Sequence, residues 1–214
     1  MEQIPTTSDE PGFLKAMLTR SMGALLRGLA GAAALLLLLI STARAYPEQP
    51  PAGHTGGFGE PTCHRCHFDQ PLNDPGGALT VDGIPKRYTP GERYFITVHL
   101  KRPDMGVGGF QLASRFKDGE RAGHQAGSLQ AVDGRVEVTR EDSSGVQYAQ
   151  QTKAGTSLVL PNTATWTVAW VAPTTMRGTV MFHLVANAGN DNASQFGDYI
   201  YVREFLSPPG ETPK

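Results

Sequence analysis

A chain of 214 residues, 39% hydrophobic and 18% charged, has the composition of a globular protein and the length of one ordinary domain with extensions. Its formal net charge of −1 supplies neither the basic field that nucleic acid requires nor a polybasic patch for an anionic membrane. Glycine (25) and proline (16) are both plentiful, which favours short strands and turns over long helices.

Residues 1–45 read as a secretory signal peptide ahead of that domain. Lys15, Arg20 and Arg27 precede the apolar run "GLAGAAALLLLLI", and Ala43-Arg44-Ala45 forms an A-x-A exit, so cleavage is expected before Tyr46. The basic region is long enough for Met17 or Met22 to be the true start. A spanning helix wants about 20 apolar residues, and Arg27 cuts this run short, so a retained membrane tether is the alternative. No cysteine stands near the exit, so no lipid anchor is expected there. The mature chain is expected to be exported, periplasmic or extracellular, where free thiols rarely persist.

Residues 46–77 are rich in proline and glycine and show no period of 2 or 3.6, which reads as coil, either ordered around something or loose. They hold the only two cysteines, in "CHRCH": Cys63, Cys66 and then His67. C-x-x-C-H is the attachment pattern of c-type haem. Each thiol adds to one vinyl group, the two-residue gap lets both sulfurs reach one porphyrin edge, and the next imidazole lies under the iron. One covalent haem c is therefore the favoured cofactor, with Cys63 and Cys66 as thioethers and His67 as proximal ligand. Three rivals remain open. A zinc site wants four ligands and has no second cysteine pair here. A thioredoxin-like pair should open a helix beside a βαβ unit. A small disulfide with an incidental histidine would staple the segment.

The sixth position of such an iron has two candidate residues. His54 precedes Cys63 by nine residues, and "TGGFGEPT" between them can fold back. Met105, in the turn "DMGVGG", would raise the potential relative to histidine. The alternative is an open or water-filled site, because no spacing rule fixes a distal ligand.

From residue 78 the pattern alternates. In "RYFITVHL", Tyr94, Ile96, Val98 and Leu100 share a face; in "FQLASRF", Phe110, Leu112, Ser114 and Phe116 alternate with Gln111, Ala113 and Arg115. Trp166, Val168 and Trp170 share a face as core residues, as do Val180, Phe182, Leu184 and Ala186. With turns at "TPGE", "KDGE", "VDGR" and "SSG", this predicts an all-β sandwich of eight or nine strands over residues 78–206. Residues 76–205 are expected to fold without the cysteine segment. The loop 187–198, with Asn187, Asn190, Asp191, Asn192 and Asp198, offers oxygen ligands for calcium, but an Asx-rich turn is favoured over a calcium site. His99, His124 and His183 are scattered and read as surface or packing residues. Residues 207–214 read as a polar, flexible tail. Nothing assembles a nucleophile, base and oxyanion site, so a carrier or binding module is favoured over an enzyme.

The strings "GHTGGFGEPTCHRCH", "YTPGERYFITVHL", "GGFQLASRF", "GVQYAQQT", "WTVAWVAP" and "VMFHLVANAGNDN…FGDYIY" resemble the bacterial choice-of-anchor V domain proteins over residues 53–204. That family is related in shape to the extracellular Reeler domain, an immunoglobulin-like sandwich. The resemblance implies an exported bacterial protein in which Cys63, Cys66 and His67 match the family's paired cysteines and following histidine. Related sequences often carry a histidine before the threonine of "YAQQT", where this chain has Gln151, and a C-terminal anchoring element, which is not expected here. The leading expectation is a monohaem electron-transfer module, serving extracytoplasmic redox proteins or a larger membrane-associated redox complex. The alternatives are a non-enzymatic binding or adhesion module stapled by a disulfide, and a thiol-disulfide enzyme.

Overall fold

The computed structural model describes residues 49–175 and 178–210. The expected signal peptide, its cleavage site and residues 211–214 lie outside them. Nine strands follow one another: β1 (Ala78–Asp82), β2 (Arg93–Lys101), β3 (Val107–Phe116), β4 (Ser128–Ala131), β5 (Val136–Arg140), β6 (Gln147–Gln151), β7 (Thr163–Val171), β8 (Val180–Gly189) and β9 (Tyr199–Ser207). They pair antiparallel into a four-stranded sheet, β1-β2-β7-β4, and a five-stranded sheet, β5-β6-β3-β8-β9. The expected all-β sandwich is the observed architecture. No helix among the described residues is long and apolar enough to cross a membrane.

The core forms where the alternating faces meet. Register sets Ile96 opposite Val168 and Val98 opposite Trp166 in one sheet, and Leu112 opposite Leu184 in the other. Trp166 stacks on Phe110 at 4.7 Å, and Trp170 meets Phe182 edge-on at 4.8 Å, so the two tryptophans of β7 bridge the sheets. Their indole N–H groups donate to the carbonyls of Gly155 and Ala126, so burying them leaves no orphaned donor. On β2 the outward Phe95 is exposed, as strict alternation predicts.

The five-stranded sheet departs from that pattern. Gln111, Ala113 and Arg115 of β3, Tyr148 and Gln150 of β6, and His183 and Val185 of β8 face away from the core yet are buried. Alternation alone would place these residues in water. They are buried because residues 51–74 run across this face, and Ala52 packs on Ala113, Val146 and Tyr148. The cysteine segment is thus an ordered third layer.

The chain also stays ordered past the expected end of the sandwich. Tyr88 N donates to Pro208 O and Gly210 N donates to Tyr88 O, which ties residues 208–210 to the loop before β2. The expected flexible tail therefore does not begin at 207, because those backbone groups have partners.

Candidate functional site

The third layer is held by a hairpin and a charged clasp. Thr55 and Thr62 pair antiparallel, and Gly56 N donates to Pro61 O across the turn. Gly56 adopts φ 82°, and a Cβ on Gly57 would lie 2.5 Å from the His183 ring, so the turn approaches the sheet at a distance only glycine permits. Phe58 meets the His183 ring edge-on at 5.4 Å. Behind the turn, Glu60 accepts from Arg115 and from the Tyr148 hydroxyl through one oxygen, and from Thr55 Oγ1 at 2.6 Å through the other. Arg115 also donates to Tyr148 OH at 2.6 Å. Farther along, Gln111 accepts from His54 N at 2.7 Å and donates to Pro51 O and to Gln150.

The cysteines follow immediately. Thr62 Oγ1 accepts from His64 N, opening a 3₁₀ turn over Cys63–Arg65. Cys63 O then accepts from both Cys66 N and His67 N. The bond from Cys66 N to Cys63 O sets the two cysteines at the two ends of one turn, Cys63 half-buried and Cys66 exposed. Neither thiol is in a disulfide. Burial, reinforced slightly by the neighbouring Cys66, pushes the Cys63 thiol up to about 12, against a backbone hydrogen bond that lowers it. An attacking cysteine in a thiol-disulfide enzyme needs the opposite shift, toward a thiolate. The stapling disulfide of the binding-module alternative is likewise not formed.

Beyond the turn, residues 67–69 run alongside residues 196–198. His67 Nδ1 lies 2.7 Å from Asp198 Oδ2, Phe68 meets Phe196 edge-on at 5.8 Å, and Asp69 Oδ2 accepts from Gly197 N at 2.8 Å. That backbone bond, with smaller contributions from Gln70 and His67, holds the Asp69 carboxyl below its usual range. Asp198 is itself fixed. Its Oδ1 accepts from Asn190 N at 3.1 Å, and its Oδ2 faces Asn187 Nδ2 at 3.4 Å. Past that carboxylate the loop is a run of side chain-to-backbone turns. Asn192 N donates to Asn190 Oδ1, Ser194 N to Asn192 Oδ1 and Phe196 N to Ser194 Oγ, as an Asx-rich loop does.

The predicted site residues fall as follows. Cys63, Cys66 and His67 occupy one turn. His54 stands on the other leg of the hairpin, one residue before the Thr55–Thr62 pair; its Nδ1 lies 3.2 Å from Ala52 O. Met105 is buried in the sandwich core. His64 is turned away, its Nε2 2.9 Å from Gln70 O. His183 is a packing residue under the hairpin, and His99 faces Asp82 at 3.3 Å. Two features escaped the sequence reading: Asp198 as the partner of His67, and the Glu60–Arg115 clasp. Arg115 gave a weak sign as the one charged residue inside "FQLASRF", but nothing local pairs it with Glu60.

A haem of this type asks the protein for two thiols on one side of a turn, an imidazole with one nitrogen engaged and the other available, and apolar surface nearby. Two free thiols at the ends of one turn, His67 with Asp198 2.7 Å from its Nδ1, and the half-exposed Phe68 and Phe196 rings are compatible with that requirement. A structural zinc cage fits less well. Among the described residues no three His, Cys, Asp or Glu side chains converge on a common point. Haem needs no such cage, because the porphyrin supplies four of the iron's ligands.

His183 gives the layer a pH dependence. Burial lowers its pKa, and the Arg115 charge acts in the same direction; Glu204, 3.3 Å from Nε2, opposes both. A histidine harder to protonate folded than unfolded stabilises the fold fully above its ordinary pKa near 6.5 and progressively less as pH falls below it. Urea unfolding midpoints are expected to fall between pH 7.5 and 5.5, and His183→Gln should flatten that slope. An unchanged slope in the variant would assign it to other groups.

No protein-family model matches the chain, and no curated protein matches it either. Among solved structures the chain is similar to the Reelin-N domain of F-spondin, at 20% identity over 69% of this chain and 97% of that one, with TM-score 0.43. A human F-spondin reeler domain is similar at 20% identity, covering 67% and 98%, with TM-score 0.40. A cohesin module from a Clostridium perfringens family 33 glycoside hydrolase is similar at 10% identity, covering 64% and 98%, with TM-score 0.45.

Proposed function

We propose that this chain is an exported β-sandwich module carrying one covalent haem and passing electrons among extracytoplasmic redox partners. Cys63 and Cys66 are the thioether residues and His67 is the proximal ligand. The observation that carries the reading is the turn itself. Two unpaired thiols stand at the ends of one turn, and the next imidazole has a carboxylate 2.7 Å from Nδ1, which leaves Nε2 for a metal. The resemblance of the motif strings to choice-of-anchor V proteins supports the sandwich part of this reading. When bound, haem supplies one-electron chemistry. The chain supplies the tether, the ring orientation and the Phe68–Phe196 surface, while the clasp mounts the turn on the sheet. His54 is the better distal candidate of the two, because it lies on the facing leg of the same hairpin, whereas Met105 would have to leave the core.

The test is expression in a host with haem-ligating machinery. The expected result is a Soret band and an intact mass that keeps the haem increment after acid denaturation. Cys63→Ser/Cys66→Ser should abolish both. Apo mass with a normal fold would leave the second reading, a non-enzymatic binding module. The exposed aromatic pair beside the turn favours that one, as such patches mark contact surfaces.

A further inference from the structure

Asp198 is a carboxylate with almost no access to water, at 4% exposure. Burying a carboxylate is costly unless it is paired. Its contacts are the amides Asn190 N and Asn187 Nδ2, which are neutral, and the ring of His67 at 2.7 Å. Loop geometry does not require a charge here, since a neutral amide oxygen at 198 could accept from Asn190 N equally well. The one contact that uses the charge is the contact with His67. No hydrogen bond joins Nδ1 to Oδ2, so the pair is a close electrostatic contact. Such contacts commonly tighten when a ligand fixes the ring.

We infer that Asp198 is a positioning residue for His67: it holds the imidazole in the Nδ1–H tautomer, presents Nε2 as the lone-pair donor, and makes that donor more basic toward a bound metal. This deepens the haem reading and rests on it for the identity of the metal. A carboxylate behind a ligating histidine raises its basicity and stabilises the more positive iron. The ferric state is therefore favoured, and the potential lies lower than with a neutral partner. Neighbouring contacts hold the residue in place. The flanking Phe68–Phe196 and Asp69–Gly197 contacts fix residues 67–69 against residues 196–198.

The experiment has two arms. In Cys63→Ser/Cys66→Ser protein, which carries no haem, nitrogen NMR of the neutral His67 ring, assigned with His67→Gln, should show proton occupancy mainly on Nδ1. Asp198→Asn should shift occupancy toward Nε2, and Asp198→Glu should restore part of it. In haem-loaded protein, Asp198→Asn should move the reduction equilibrium about tenfold toward ferrous, an upward shift of about 59 mV for one electron. The iron–histidine stretch should fall in the same variant. A parent ring protonated mainly on Nε2 overturns the inference even if haem is attached. So does a haem-loaded Asp198→Asn protein whose potential and stretch are unchanged. If haem never attaches while the ring sits as Nδ1–H, the haem reading fails and the positioning role stands. Should Asp198→Asn fail to fold, the tautomer of the parent decides alone.

Discussion

Glu60→Ala is expected to cost about 3–5 kcal/mol of unfolding free energy, the loss typical when one partner of a buried ion pair is removed. Arg115 is 4% exposed and sits on the outward face of β3 beneath the hairpin. Its Nη2 reaches Glu60 and Tyr148, and its Nε has no partner. Burial already works against its charge, lowering its pKa; Tyr148 and Glu141 oppose that only in part. Without Glu60 the guanidinium keeps one neutral hydroxyl and only the field of Glu141, with which it makes no ion pair. Thr55 Oγ1 and the Tyr148 hydroxyl lose their acceptor in the same step. Replacing both charges, as Glu60→Met with Arg115→Met, should recover most of the loss, because apolar residues of similar volume need no desolvation. Urea melts of parent, single and double variants measure this. A loss below about 1 kcal/mol, the scale of an exposed pair, would mean that water reaches the guanidinium and the clasp is a surface contact.

What could be read from the chain and what could not divide along sequence distance. The alternation in "RYFITVHL" and "TWTVAW" places Ile96, Val98, Trp166 and Trp170 in the core, because one face of each strand is packed and the other is wet. In "FQLASRF" the same rule marks Gln111, Ala113 and Arg115 as the far face, correctly. It cannot say that this face is covered, because the cover comes from a segment without periodicity. Cys63, Cys66 and His67 were legible because their chemistry is local, three residues in one turn. Asp198 was visible only as one of several loop oxygens. Its role depends on residues 67–69 lying beside residues 196–198, a pairing that no local pattern encodes.

A chain beginning at residue 76 is the harsher test, and it is expected to lose more stability than Glu60→Ala does. The sequence expectation was that residues 76–205 fold independently, since the sandwich has its own core. The observed packing argues otherwise. Deleting the segment removes the Glu60 counter-charge and uncovers Tyr148, Gln111, His183 and Val185, all buried in the full chain. It also removes Asn73, whose N donates to Ile200 O and whose Oδ1 accepts from Val202 N, and Asp74, which pairs with Arg102 at 2.6 Å. The apolar part of the uncovered face is then a surface for self-association. The shortened chain should keep β-type circular dichroism from the β2–β7 and β3–β8 pairs. It should lose its sharp melt and sediment as oligomers, while full-length Cys63→Ser/Cys66→Ser should melt cooperatively. That contrast separates the segment's packing from anything haem contributes. If the shortened chain instead melts as sharply and at the same midpoint as the full one, the segment is merely draped over the sheet. The cysteine turn would then be mobile, and His67 and Asp198 would have no fixed mounting to hold them together.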